Sequence, residues 1–147
     1  MTVCGIALSI ILSGIGSAKG AAMIGKAAAA LISEQPEKFG QSLVLQMMSA
    51  SQGLYGFIVS FFIFMNLNNA IAAGSAIVFS DALRYLSAGL IMGLSGYLTA
   101  IQQSITATAG IQILAKKPEH STKGVLYSAM IETYAIFAFV VSILIVL

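Results

Sequence analysis

An all-α membrane protein, with four transmembrane helices arranged as two tandem helical hairpins, is predicted by three features of this sequence. Only seven Lys and Arg and five Asp and Glu occur in 147 residues, so 8% of the chain is charged, against about 25% in an average soluble domain. Charge-free stretches run over residues 39–80 and 85–115, each longer than the ~20 residues that cross a bilayer core. The chain also repeats itself. Leu12-Ser13-Gly14 through Pro36-Glu37 matches Leu94-Ser95-Gly96 through Pro118-Glu119 without a gap at an offset of 82, and Ser51 to Leu67 lies against Ile131 to Leu147 at an offset of 80. With 59% hydrophobic residues, the apolar surface exceeds what a core of this size can hide, and the surplus faces lipid. A net charge of +2, dispersed along the chain, excludes nucleic acid as a partner.

The first helix spans Val3 to about Ser33 and is interrupted only by Lys19 and Lys26. The N-terminal run lacks the basic start of a cleaved signal peptide and is read as retained helix. Cys4 is read there as a small apolar residue, since a lone cysteine offers neither a disulfide nor a metal-ligand set. Lys26 can snorkel to the headgroups, whereas Lys19 lies deeper. The turn Glu34-Gln35-Pro36-Glu37-Lys38 ends this helix at a proline. The second helix follows, and the stretch from Asn66 to Asp81, with Asn68, Asn69, Gly74 and Ser75, reads as a longer uncharged link. A third helix leads to the charged turn Lys116-Lys117-Pro118-Glu119-His120-Ser121-Thr122-Lys123, and the fourth runs from about Gly124 to Leu147. His120 is read as a solvated residue of its turn. Residues 1–67 thus form the first hairpin, 68–80 an external linker and 81–147 the second hairpin. The lysines of the second turn place both charged turns in the cytoplasm and both termini outside. The two hairpins have the same direction, a parallel repeat.

Small residues recur at every fourth position on the first helix of each repeat: Ser13, Ser17, Ala21, Gly25 and Ala29, then Ser95, Thr99 and Ala107, with Gln103 on the same face. Such stripes let helix backbones approach closely in lipid. They predict tight contacts and a closed cyclic assembly of identical subunits, with the first and third helices towards its lumen.

Glu132 is the one acidic residue well inside a hydrophobic segment, where a bare carboxylate costs several kcal/mol unless paired, coordinated or protonated. It lies 13 residues beyond Glu119, about 20 Å along a helix. Gln103 precedes Lys116 by 13 residues and Gln52 follows Lys38 by 14, so all three polar groups reach a similar depth. Met48, Ser51, Gln52 and Tyr55 share one face of the second helix by their i, i+3, i+4, i+7 spacing. Ser51 and Gln52 bring neutral oxygens, and Tyr55 a hydroxyl to donate to the carboxylate. Ser51 is expected to hydrogen-bond to the carbonyl four residues earlier, which leaves another carbonyl lone pair for a cation. Neutral oxygens beside one carboxylate match a hard monovalent cation better than a bare proton.

The segment GIQILAKKPEHSTKGVLYSAMIETYAIFAFVVSILIVL, with its partner SASQGLYGFIVSFFIFMNL, resembles the proteolipid K subunits of bacterial V-type ATPases, in particular their sodium-translocating members, over essentially the whole chain. The resemblance implies a non-catalytic subunit that forms a rotor ring of identical copies in the bacterial plasma membrane. It also implies a central stalk docked on the cytoplasmic turns and a stator membrane subunit that supplies an arginine. Matched by position, the family's essential carboxylate is Glu132, its sodium-coordinating glutamines are Gln52 and Gln103, its hydroxyl ligand is Ser51, its backbone-carbonyl ligand is Met48, and its locking tyrosine is Tyr55. Ser51 stands where the sodium members usually carry Thr, and Ser49-Ala50 replaces their frequent Pro-Gly. Na+ is the expected cargo, with H+ as the alternative in the same architecture. A small proton-coupled multidrug transporter is the competing class, disfavoured by the tandem repeat and the absence of Trp.

Overall fold

Two prolines and one glycine set the ends of the long helices in the computed structural model, which describes all residues 1–147. α1 (Thr2–Glu34) stops before Pro36 and α4 (Phe79–Lys116) stops before Pro118. The residue ahead of each proline leaves the helical region, Gln35 at φ −137°, ψ 72° and Lys117 at φ −144°, ψ 79°, as the proline ring requires. Each proline then opens a single 3₁₀ turn, Pro36–Lys38 and Pro118–His120.

Beyond the first turn the chain forms α2 (Phe39–Met47) and α3 (Ser51–Ala72), one path interrupted at Met48-Ser49-Ala50, whereas α5 (Ser121–Val146) after the second turn is continuous. The repeat accounts for the difference. Twelve residues, 39–50, separate Lys38 from Ser51, but ten, 121–130, separate His120 from Ile131. The shift of offset from 82 to 80 is thus a two-residue surplus in the first repeat, and the helix breaks where that surplus lies.

The link between the hairpins is shorter than the sequence implied. α3 continues through Asn68 and Asn69 to Ala72, and α4 begins at Phe79, so the 68–80 linker contracts to residues 73–78. Gly74, at φ +63°, ends α3: its N–H donates to the Ile71 carbonyl (3.0 Å) and the Ser75 N–H to the Ala70 carbonyl (2.9 Å), a closure that needs the left-handed conformation glycine adopts freely.

Three stretches, Thr2–Glu34, Pro36–Ala72 and Pro118–Val146, are long and apolar enough to cross a membrane. α4, the longest helix at 38 residues, is less apolar because it is the most internal. Its polar residues Gln103 and Ser104 are fully buried against other helices, where lipid does not select against them.

α1 and α4 run parallel at very close range. A methyl group on Gly16 would fall 2.6 Å from the Tyr97 Cα, and one on Gly93 would fall 2.5 Å from the Leu8 carbonyl oxygen. Helix backbones approach this closely only where Cβ atoms are missing. α3 lies in the groove of this pair, held to α1 by bonds from Ser9 Oγ to the Gly56 carbonyl (3.0 Å), from Ser60 Oγ to the Ile6 carbonyl (2.8 Å) and from the Gly53 N–H to Ser17 Oγ (2.8 Å). α5 packs against α4 and α3. Near the prolines, Ile24, Leu31, Leu45, Ile111 and Leu114 form one apolar cluster; near the chain termini, Val59, Ile63, Met92 and Val146 form another.

The predicted stripe is therefore spent largely inside the subunit. Ser13 and Ser17 face α3 at Gly56 and Gly53, Gly25 faces the Gln46 side chain, and Ala29 is exposed. The closest seam instead joins Gly5, Gly16 and Gly20 to Gly89, Gly93 and Gly96 on α4. Cys4 is exposed.

Gly16→Val is expected to destabilise the fold by about 1–3 kcal/mol through overpacking against the α4 backbone. Gly40→Ala, where an added methyl meets nothing within 4 Å, is expected to be neutral or slightly stabilising. Unfolding of the detergent-solubilised protein by SDS, followed by helix circular dichroism, checks this. Equal midpoints for the two variants would contradict the seam.

Candidate functional site

The break between α2 and α3 shapes the polar centre of the molecule. With the helix interrupted, no backbone N–H donates to the Met48 or Ser49 carbonyl. The Gly53 N–H, which an unbroken helix would aim at Ser49, goes to Ser17 Oγ on α1 instead. The Met48 carbonyl accepts only from Ser51 Oγ, at 3.3 Å. That bond spans three residues, not the four expected, as do those of Ser87 and Thr133 in their helices. Ser51 Oγ also lies 3.4 Å from Gln52 Oε1.

Gln52 and Gln103 are both fully buried, and Gln52 Nε2 donates to Gln103 Oε1, which ties α3 to α4. Gln103 Nε2 is buried without a partner, a costly state for an amide. Glu132 projects from the middle of α5 and is half-buried. Its Oε1 accepts a hydrogen bond from the Tyr55 hydroxyl at 2.9 Å, and the Tyr55 ring stacks on Phe139, centroids 5.0 Å apart. Nothing donates to the second carboxylate oxygen.

Two hydrogen-bonded groups meet on α3. Tyr55 carries Glu132 to α3, and Met48, Ser51 and Gln52 are linked in sequence along the start of α3, with Gln103 bonded to the last. The arrangement is rich in acceptors: one carboxylate oxygen, the Gln52 amide oxygen, the Ser51 hydroxyl and two carbonyls released from the helix ladder. Oxygens with few donors among them favour a hard cation. What the sequence reading missed is the break itself, along with Ser17 as acceptor for the Gly53 N–H. The signal was present in the shift of repeat offset between Pro36 and Ser51.

The remaining charges lie elsewhere. Lys19 and Lys26 are exposed, and the Lys19 ammonium sits 5.6 Å from the centroid of the Tyr97 ring, a cation–π distance. Arg84 donates to the Ile145 carbonyl at 2.9 Å and lies 3.7 Å from Asp81. Ile145 is 13 residues beyond Glu132 on the same helix, so Arg84 is anchored about 20 Å from the carboxylate. No arginine of this chain serves Glu132.

Comparison with known proteins gives a consistent result. The family of ATP synthase C subunits matches the chain twice, over residues 4–63 and 86–145. The V-type sodium ATPase K subunit of Enterococcus hirae is 53% identical over 145 residues, covering 99% of this chain and 89% of the relative. The A-type ATP synthase K subunit of Methanocaldococcus jannaschii is 34% identical across 95% of this chain, which spans 59% of that longer protein. The V-type proton ATPase 16 kDa proteolipid of Entamoeba dispar is 27% identical over 95% of this chain and 77% of its own length. The double match and the near-complete alignments establish that this chain belongs to the family of ATP synthase C subunits.

Proposed function

We propose that this chain is the rotor-ring subunit of a bacterial V-type rotary ATPase and that it carries Na+ on Glu132 during ATP-driven rotation. The observation that carries the reading is the half-buried Glu132 carboxylate, held at one oxygen by Tyr55 and free at the other, in a site whose helix break offers the Met48 carbonyl, Ser51 Oγ and Gln52 Oε1 as further ligands. Gln103, through the second lone pair of its amide oxygen, completes the set. The sodium relative, 53% identical, supports the choice of ion.

On this reading the chain is two tandem hairpins joined by the short external link at residues 73–78, in the plasma membrane, with the proline turns cytoplasmic and the termini outside. The turns receive a central stalk that couples the ring to a separate ATPase, and the subunit itself catalyses nothing. A carboxylate that sweeps through lipid must be neutralised, and bound Na+ does this. When the ring brings Glu132 to an arginine of the stator subunit, the guanidinium replaces the ion, which leaves to one side; continued rotation separates the pair and the site reloads from the other side. Tyr55 positions the carboxylate for both exchanges. Gln52 occupies in the first repeat the place of Glu132 in the second, so one ion serves four helices.

Three outcomes follow. Glu132→Gln keeps size and hydrogen bonding but removes the charge, so rings are expected to assemble with native mass while Na+ transport by the reconstituted complex is lost. In the native ring a carboxyl-directed carbodiimide is expected to label Glu132, and Na+ to protect it. Protection absent across a wide sodium range, with transport indifferent to sodium, favours the proton-carrying ring. Tyr55→Phe removes one bond to the carboxylate, worth about 1–1.5 kcal/mol. It is therefore expected to weaken sodium protection roughly five- to twelvefold, with transport restored at high sodium.

A further inference from the structure

Each proline turn leaves a helix end short of donors. In α4 the Leu114 carbonyl would receive its bond from residue 118, a proline with no N–H. Lys38 fills this place. It is 9% exposed, and its ammonium donates to the Leu114 and Ala115 carbonyls at 3.0 Å each. A cation here also opposes the negative end of the helix dipole. This contact crosses between repeats, from the turn of the first hairpin to the inner end of the second.

α1 ends in the same way. The Ile32 carbonyl would receive its bond from Pro36, and no side chain of this chain donates to Ile32 or Ser33. The offset of 82 carries Leu114 and Ala115 onto Ile32 and Ser33, and carries Lys38 onto His120. His120 is half-buried, and its imidazole makes no hydrogen bond within the chain. In a ring of tandem repeats, the step that takes the first hairpin to the second also takes the second hairpin to the first hairpin of the next copy. We propose that His120 of each copy donates a hydrogen bond to the α1-terminal carbonyls, Ile32 and Ser33, of the next copy, so that an imidazole closes the seam between copies where Lys38 closes the seam within one. The inference rests on the ring reading above. An imidazole N–H directs one bond where the ammonium directs two, so the seam between copies is held less firmly at this end than the seam within.

Paired cysteines test the contact. In full-length protein carrying Cys4→Ser, His120→Cys and Ser33→Cys, a short bis-maleimide applied to the assembled ring in membranes is expected to give a ladder of covalent multimers on a denaturing gel. Species beyond the dimer require the two positions to meet on different copies, and neither single-cysteine variant produces them. Native mass spectrometry of the untreated ring runs in parallel. A ring of native mass that yields no ladder, or only an internally linked monomer, overturns this contact and leaves the ring reading standing; the absence of any ring overturns both. A second measurement leaves the cysteines out. His120→Ala is expected to lower the temperature at which the ring dissociates in SDS, and His120→Lys to restore or exceed it. Unchanged dissociation in His120→Ala also overturns the assignment.

Discussion

A hydrocarbon interior offers no water to an unpaired backbone group, so a break in a membrane helix persists only where protein or cargo replaces the missing partner. Met48, Ser49 and Ala50 form such a break, and much of the molecule is organised around it. The Gly53 N–H is received by Ser17, which fixes the restarted helix against α1. Ser51 turns back on the Met48 carbonyl, and Gln52, the second residue of α3, reaches Gln103 across the bundle. The Ser49 carbonyl has no donor at all. The repeat shows the same constraint in negative: the corresponding part of α5 lacks the two extra residues, remains a continuous helix and frees no carbonyl. The first half of the duplicated chain contributes the break with Met48, Ser51 and Gln52, and the second contributes Gln103 and the Glu132 carboxylate.

Close approach of α1 and α4 is the second requirement, because polar side chains on α3, α4 and α5 converge only if the helices beneath them are near. In lipid the hydrophobic effect does not draw helices together, and contact has to come from backbone-level packing. Glycines 16 and 20 of α1 and glycines 93 and 96 of α4 provide it. The first apolar cluster, around Leu45 and Leu114, and the second, around Val59 and Met92, lie on either side of the polar centre. The polar side chains therefore sit between two well-packed layers that limit their movement, which is how a site with few internal hydrogen bonds keeps a fixed geometry.

Much of this was legible in the sequence because membranes make the rules few. Charge-free length gave the crossings, proline gave both turns, and the repeat gave the parallel halves. Glu132, Gln52 and Tyr55 were identifiable because a polar group at that depth has to be explained. The face of α1 was misread: a four-residue spacing of small side chains drifts around a helix of 3.6 residues per turn, so Ser13 and Ser17 point to α3 while Ala29 ends on the outside. The continuation of α3 past Asn69 was missed because asparagines were taken as turn residues; Asn66 instead donates to the Val146 carbonyl at 2.9 Å and caps the end of α5. The helix break had no local marker, since Ser49-Ala50 contains neither proline nor glycine. Only the arithmetic of the repeat records it.

The loss of symmetry between the repeats also bears on the direction of energy flow. Had both halves kept an acid, each copy would carry two carboxylates at membrane depth. With Gln52 opposite Glu132 in the alignment and Ala21 opposite Gln103, the first hairpin has no counterpart of the Glu132 carboxylate, and a ring of given girth carries half as many ions per turn. The work of one rotation is set by the ATP consumed, so halving the ions doubles the free energy available to each. A larger share per ion moves cargo against a steeper gradient, at the expense of the ions moved per ATP. Run in reverse, such a ring would draw fewer ions down the gradient per turn and would need a larger driving force on each to make ATP. The single surviving carboxylate of this duplicated subunit thus supports the ATP-driven reading proposed above.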